Sequence, residues 1–227
     1  MTALASLLAE LTDGWWWPLL GFVLGSIPFG LLIGRAAGLD IRQHGSGNIG
    51  ASNVRRTLGN ARGLLVLLLD AAKAAAPTWI ALDHGIDLAC ATGLAAVLGH
   101  CFSPWLGFRG GKGIAAAAGM FAVLAPVPLL IALVGFIGAL ALSRVAAVAS
   151  LTASALLPMV LLSTGERSIG MAASAIFVLA LYTHRSNVRA LRQAQRQKQR
   201  GAERGAERGA ERGAARAAHD DARGDTR

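Results

Sequence analysis

Apolar runs at about 15–33, 63–82, 88–103, 114–125, 126–142, 145–163 and 168–184 are separated by short polar stretches. Several approach the roughly 20 residues a helix needs to cross the hydrocarbon core of a bilayer. The fourth is short, and residues 114–142 taken alone read as one long helix. Basic residues bracket that stretch, Arg109 and Lys112 before it and Arg144 after it. Lys and Arg favour the cytoplasmic side, so both brackets belong inside, which requires two crossings and a turn at Pro126 or Pro128. The pattern predicts an all-α polytopic membrane protein with about seven transmembrane helices.

Charge then sets the orientation. With the N-terminus outside and the C-terminus cytoplasmic, the inner loops and helix ends collect Arg35, Arg42, Arg55, Arg56, Arg62, Arg109, Lys112, Arg144 and Arg185, against Arg167 alone outside. Trp15, Trp16, Trp17 and Trp79 then fall near the outer interface, and Trp105 and Tyr182 near the inner one, where amphipathic rings prefer to sit. The N-terminus carries Glu10 and Asp13 and no basic region, so the first helix is expected to be retained rather than cleaved as a signal.

Composition supports the class: 54% of the 227 residues are hydrophobic and only 15% charged, too apolar for an ordinary soluble domain. The formal charge of +9 resembles a nucleic-acid signature until it is divided, because residues 189–227 hold 11 Lys/Arg against 6 Asp/Glu. That segment repeats GAER with glycine at every fourth position, which opposes helix by about 1 kcal/mol per glycine. Residues 1–191 therefore read as the membrane domain and 192–227 as a low-complexity, disordered basic tail. Its mixed signs argue against nucleic acid as a partner. Cys90 and Cys101 share one apolar segment about 16 Å apart at 1.5 Å per residue, too far for a disulfide, and read as small buried residues.

The polar residues gather in three stretches that this topology places on the cytoplasmic side. In the first, Arg42 precedes Gly45, Ser46, Gly47 and Asn48, followed by Gly50, Ser52, Asn53, Arg55 and Arg56. Glycines permit positive φ, so successive N–H groups could form an anion-binding nest while arginines supply bidentate donors. An ordinary polar turn is the alternative, but a loop of nearly thirty residues is more often functional. The second stretch, Arg109, Gly110, Gly111, Lys112 and Gly113, opens into a helix, where backbone donors and the positive end of the dipole suit a second phosphate. It lacks the spacing of a nucleotide P-loop. The third, Tyr182 to Asn187, places His184 and Asn187 three apart on one helical face. His44 and His100 could also line the site, whereas His84 and His219 lie in an outer loop and the tail. No group of His or Cys has metal-ligand spacing, so neither a metal nor another cofactor is expected. Asp70 and Lys73, at i and i+3 inside an apolar span, read as a structural pair.

The segments GSIPFG (25–30), DIRQHGSGNIGASNVRRTLG (40–59), GH (99–100), FRGGKG (108–113), ASLTAS (149–154) and THRSNV (183–188) together resemble the acyl-phosphate-dependent glycerol-3-phosphate acyltransferase family over about residues 20–191. The resemblance implies a seven-helix bacterial inner-membrane enzyme whose cytoplasmic site transfers an acyl group from acyl phosphate to glycerol 3-phosphate, the first step of phospholipid biosynthesis. Its functional residues fall on Ser46, Asn48, Arg56, Lys112, Ser150, His184 and Asn187. Ser52 stands where the family usually has Thr, Ala74 where it has Gly and Ala147 where a Ser is frequent, and residues 190–192 depart from the usual ending. The expected division is Ser46, Ser150, His184 and Asn187 as catalytic residues. Gly45, Gly47, Asn48, Arg56, Arg109, Gly110, Gly111, Lys112 and Gly113 would hold phosphate, with acyl phosphate, glycerol 3-phosphate and the lipid bilayer as partners. A transporter of phosphate-bearing substrates is the rival; no internal repeat and no broken helix at mid-membrane depth is legible in the sequence.

The topology is open to labelling with a membrane-impermeant thiol reagent on whole cells. A cysteine introduced by His84→Cys should react from outside, whereas Asn60→Cys and Arg200→Cys should react only after permeabilisation. The reverse pattern would invert the orientation.

Overall fold

The first apolar run carries its own interruption. Pro28 brings no N–H and its ring opposes a helix continuing through the preceding turn, and Gly25 weakens the helix just before it. In the computed structural model this run is two helices, α1 (Trp16–Gly25) and α2 (Phe29–Ala36), where one span is expected. The break exposes main-chain carbonyls that water would satisfy at a surface but that a membrane interior leaves to protein donors. Lys73 Nζ donates to Ile27 O at 2.7 Å and Ser103 Oγ to Ser26 O at 2.7 Å. Trp105 Nε1 donates to Ser26 Oγ at 2.9 Å, and that hydroxyl donates in turn to Val23 O. The first run is therefore broken between Gly25 and Phe29, and Lys73, Ser103 and Trp105 hold the break.

The structure describes residue 14, residues 16–189 and residues 193, 197 and 199. The expectation for Trp15 and almost all of that for the 192–227 tail lie outside them. The chain divides into two compact units, Met1–His184 and Arg185–Arg227.

After α2 the first unit continues with a short 3₁₀ turn (Ile41–Gln43), α3 (Ala51–Leu58), α4 (Asn60–Ala81), α5 (Ile86–Cys101), a second 3₁₀ turn (Pro104–Leu106), α6 (Ile114–Leu124), α7 (Pro126–Ser143), α8 (Ala146–Ser163) and α9 (Arg167–Thr183). α6 ends at Leu124 and α7 starts at Pro126, so the stretch 114–142 does turn at the first proline. Among the described residues, five segments are long and apolar enough to cross a membrane: Trp16–Ala36, Asn60–His84, Ile86–Leu106, Pro126–Ser143 and Ala146–Ser163. Ile114–Leu124 and Arg167–Thr183 are apolar but shorter.

Small residues set the closest crossings, as expected where apolar burial gives no preference for protein over lipid. α1 carries Gly21 and Gly25 four apart against α5. A Cβ on Gly21 would overlap Thr92 O, one on Gly25 would overlap Ala96 O, and Gly99 on α5 meets Phe22 O in the same way. Gly119 on α6 lies equally close to Ala71 on α4. The main core gathers Val97, Met120, Phe121, Leu157, Leu161 and Ile176 among its members. α7 sits at the opposite extreme: Val127, Val134, Ile137 and Leu142 are exposed and only Ala132 is buried, a surface suited to acyl chains. Cys90 and Cys101 are free and buried. Trp17 is buried against His84, with ring centroids 5.0 Å apart.

Candidate functional site

A second, smaller cluster builds the site's floor: Leu31 of α2, Ile41, Ile49, Val54 of α3, Val66 of α4 and Leu106. Leu106 stands just before the Arg109–Gly113 stretch, so the cluster brings the first and second polar stretches to one place. α2 supplies the platform. A Cβ on Gly30 would overlap Ile49 O, so only glycine lets the first loop lie on that helix.

Asn53 shapes this loop, and the sequence reading gave it no role. It is 1% exposed; its Nδ2 lies within hydrogen-bond reach of Ile41 O at 3.2 Å, His44 O at 3.0 Å and Asn48 O at 2.9 Å, while its Oδ1 accepts Ser46 N–H at 2.9 Å. One amide thus ties together backbone groups along 41–48, supplying the partners of Ser46 N–H and Asn48 O and adding to the turn bonds that Ile41 O and His44 O already accept. Gly45 (φ +60°) passes directly over it, where a Cβ would overlap Asn53 Oδ1, and Gly47 takes φ +70°. The available signal was a polar residue beside Val54 on the apolar side of a short amphipathic helix.

The nest expected of this loop is largely closed. Ser46 N–H is held by Asn53, Gly47 N–H by His44 O at 3.0 Å, and Gly50 N–H by Asn48 Oδ1 at 2.9 Å. Side chains remain: exposed Ser46, half-buried Asn48 and exposed Arg56. Arg42 is also committed, paired to Asp40 at 2.6 Å, and that guanidinium holds the Asp40 carboxyl down at about 2.

The second stretch packs against the end of α5. Gly110 N–H donates to Cys101 O at 2.9 Å and Gly111 N–H to His100 O at 3.0 Å. A Cβ on Gly111 would overlap the His100 ring, and one on Gly113 (φ +85°) would press on Cys101 Sγ. These glycines serve close approach, and their two N–H groups are used in doing so. What the loop presents is half-buried Lys112, exposed Arg109 and the open first turn of α6 after its N-cap, Gly113. Burial pushes the Lys112 ammonium below its ordinary value, and the nearby Arg56 charge adds to this. Two cations, Arg56 on α3 and Lys112 on the second loop, therefore lie close enough to interact.

The third stretch joins them through α9. Thr183 Oγ1 donates to Lys112 O at 3.2 Å. His184 is 2% exposed at the C-cap of α9, with Nδ1 2.9 Å from Ala180 O. A carbonyl only accepts, so Nδ1 carries the proton and Nε2 the lone pair. Burial lowers the His184 pKa from 6.5 and the Lys112 charge lowers it further, outweighing the Ala180 bond that raises it. The shift favours the neutral imidazole, whose lone pair is then on Nε2.

Arg56, Lys112 and His184 are thus brought together, with Ser46 and Asn48 on the same first loop. Ser150 is buried on α8, and none of the hydrogen bonds among the described residues links it to Lys112 or His184. Asn187 is half-buried in the second unit, within the helical stretch 185–189. Among the described residues no cluster of His, Cys, Asp or Glu could hold a metal ion.

The family model described as Glycerol-3-phosphate acyltransferase matches residues 15–194. A protein of that name from Anaeromyxobacter dehalogenans is 46% identical over 180 residues, covering 75% of this chain and 90% of its own. One from Sinorhizobium medicae is 42% identical over 172 residues, covering 75% and 85%. Among solved structures, the glycerol 3-phosphate form of PlsY (YgiH), an integral membrane glycerol 3-phosphate acyltransferase, superposes with a TM-score of 0.76 at 36% identity, covering 79% of this chain and 92% of that one. Its lysophosphatidic acid form gives 0.75 at 35% identity, with 79% and 91% covered.

Asn53→Ala should open the first loop selectively. Losing the amide orphans Ser46 N–H and Asn48 O, while Ile41 O and His44 O keep the N–H groups of His44 and Gly47; the cost is about 1–3 kcal/mol, or roughly 5- to 150-fold faster exchange of the Ser46 amide. Hydrogen exchange in lipid nanodiscs measures it; unchanged protection would show that Asn53 does not hold the loop.

Proposed function

The chain belongs to the glycerol-3-phosphate acyltransferase family, and from that premise we propose that it transfers a fatty acyl group from acyl phosphate to glycerol 3-phosphate at the cytoplasmic face of a bacterial inner membrane. The observation that carries the reading is the meeting of Arg56, Lys112 and a neutral His184 at one place beside an apolar bundle. Related proteins captured with glycerol 3-phosphate and lysophosphatidic acid support the acceptor and the product.

The donor follows from what the site does not need to supply. An acyl phosphate already carries a good leaving group, so positioning, phosphate neutralisation and a proton acceptor suffice. The glycerol hydroxyl oxygen attacks the acyl carbonyl carbon, the carbon–oxygen bond to phosphate breaks, and inorganic phosphate leaves with the bonding pair. The hydroxyl proton passes to His184 Nε2. Arg56, with Asn48 and Ser46 on its loop, grips one phosphate as a bidentate donor; Lys112 and the first turn of α6 grip the other. Arg109 adds charge at the mouth, Gly45, Gly47, Gly110, Gly111 and Gly113 give the loops their close course, and the family motifs also assign roles to Ser150 and to Asn187.

The break in the first span is the feature a transporter would share. Its Ser26 and Ile27 carbonyls are taken by Ser103 and Lys73, so the break offers them to no cargo.

Purified protein should form 1-acylglycerol 3-phosphate and release phosphate with acyl phosphate and not with acyl-CoA; turnover with acyl-CoA alone would reassign the donor. Lys112→Ala should lower kcat/KM by about 2–4 kcal/mol, roughly 30- to 1000-fold, and Lys112→Arg should not restore it, because a planar guanidinium does not fit a point charge's place between glycines. Wild-type rates in Lys112→Ala would remove the second loop from the mechanism.

A further inference from the structure

Three buried ionisable residues lie outside the site just described. Asp70 and Lys73 on α4 and His100 on α5 each expose 3% or less of their side chains. Lys73 Nζ is 2.8 Å from Asp70 Oδ1, and His100 Nδ1 is 3.5 Å from the same oxygen. Burying ions this way costs several kcal/mol each, and a well-packed apolar set would stabilise the bundle at least as well. Stability is therefore a poor account of their presence. What charged groups add is direction, because each fixes its partners at short distance and set angles.

The partners lead to the two phosphate-facing loops. Lys73 donates to Ile27 O at the break and lies 5.6 Å over the Phe29 ring at the start of α2. α2 is the helix on which the first loop rests, through Gly30 and Ile49 O. His100 reaches the other way. Its ring lies beneath Gly111 so closely that no Cβ fits, and its carbonyl accepts Gly111 N–H. A single carboxylate thus stands between one arm to the first loop and one arm to the second. The His100 arm is longer than a hydrogen bond, and Nδ1 has no other partner among the described residues.

We infer that Asp70, Lys73 and His100 are positioning residues that set the register of the Gly45–Asn48 loop against the Gly110–Gly113 loop, and so the spacing at which two phosphates are held. The inference rests on the reading of those loops as substrate-binding. None of the three touches substrate; they act through Arg56 and Lys112.

The test uses the full chain in lipid nanodiscs, with Asp70→Asn and His100→Phe made in both the parent and a Lys112→Ala background. Each should lower kcat/KM about 10- to 100-fold in the parent yet less than about 3-fold once Lys112 is gone, since they act through it. A role in folding alone would give the same loss in both backgrounds. His100→Asn, which keeps a donor toward Asp70 without the ring, serves if His100→Phe does not insert. Spin labels at Gln43→Cys and Arg109→Cys, both exposed, report loop register by pulsed electron resonance without any need for turnover. A narrow distance distribution in the parent should broaden in Asp70→Asn. If the parent shows no acyl transfer, the functional reading fails and the label distances alone decide. Multiplicative kinetic losses in both backgrounds, parent-like kinetics, or an unchanged label distance would overturn the inference.

Discussion

Main-chain groups in a membrane interior must find protein partners, and this constraint organises the molecule from α1 to the site. The Gly25–Pro28 sequence breaks the first span, and the freed carbonyls require donors from elsewhere. Lys73 and Ser103 provide them, which ties α4 and the turn after α5 to the start of α2. α2 then carries the first loop on Gly30, and the same small cluster seats Leu106 ahead of the second. A local breach in one helix thus becomes the scaffold on which two polar loops meet.

The loops obey the same rule. Asn53 meets the backbone needs of residues 41–48, and α5 meets those of Gly110 and Gly111. With the main chain satisfied internally, the proposed role falls to the side chains of Arg56, Lys112 and His184. Burial, and then the Arg56 charge, lowers the Lys112 pKa, and burial with the Lys112 charge lowers that of His184; a bound anion would offset the charge repulsion in both.

Local pattern in the sequence was enough for the helical class, for a turn at Pro126 or Pro128 and for the three polar stretches, because each depends on residues near in the chain. The positive-φ glycines of the first loop were likewise readable. Asn53 was not, since its value comes from carbonyls five to twelve residues away that only the folded loop presents. Arg42 looked like a phosphate ligand but is neutralised by Asp40 two residues earlier, a competition that composition does not rank. The first span's break was masked by continuous apolarity, which speaks to lipid contact and not to hydrogen bonding. The pairing of Asp70 with His100 spans thirty residues and two helices, beyond any periodicity argument.

The central claim is that Lys112 and His184 face one anionic ligand, and the His184 imidazole reports on it directly. Nitrogen-15 NMR titration of His184 in nanodiscs should give a pKa below the ordinary 6.5 in the free protein, with Nδ1 protonated in the neutral form, and a rise when glycerol 3-phosphate is added. Neutral imidazole would then persist at pH 7 without ligand and be lost as pH falls through that lowered value. A free-protein pKa at or above 6.5, or one that glycerol 3-phosphate leaves unmoved, would contradict the account.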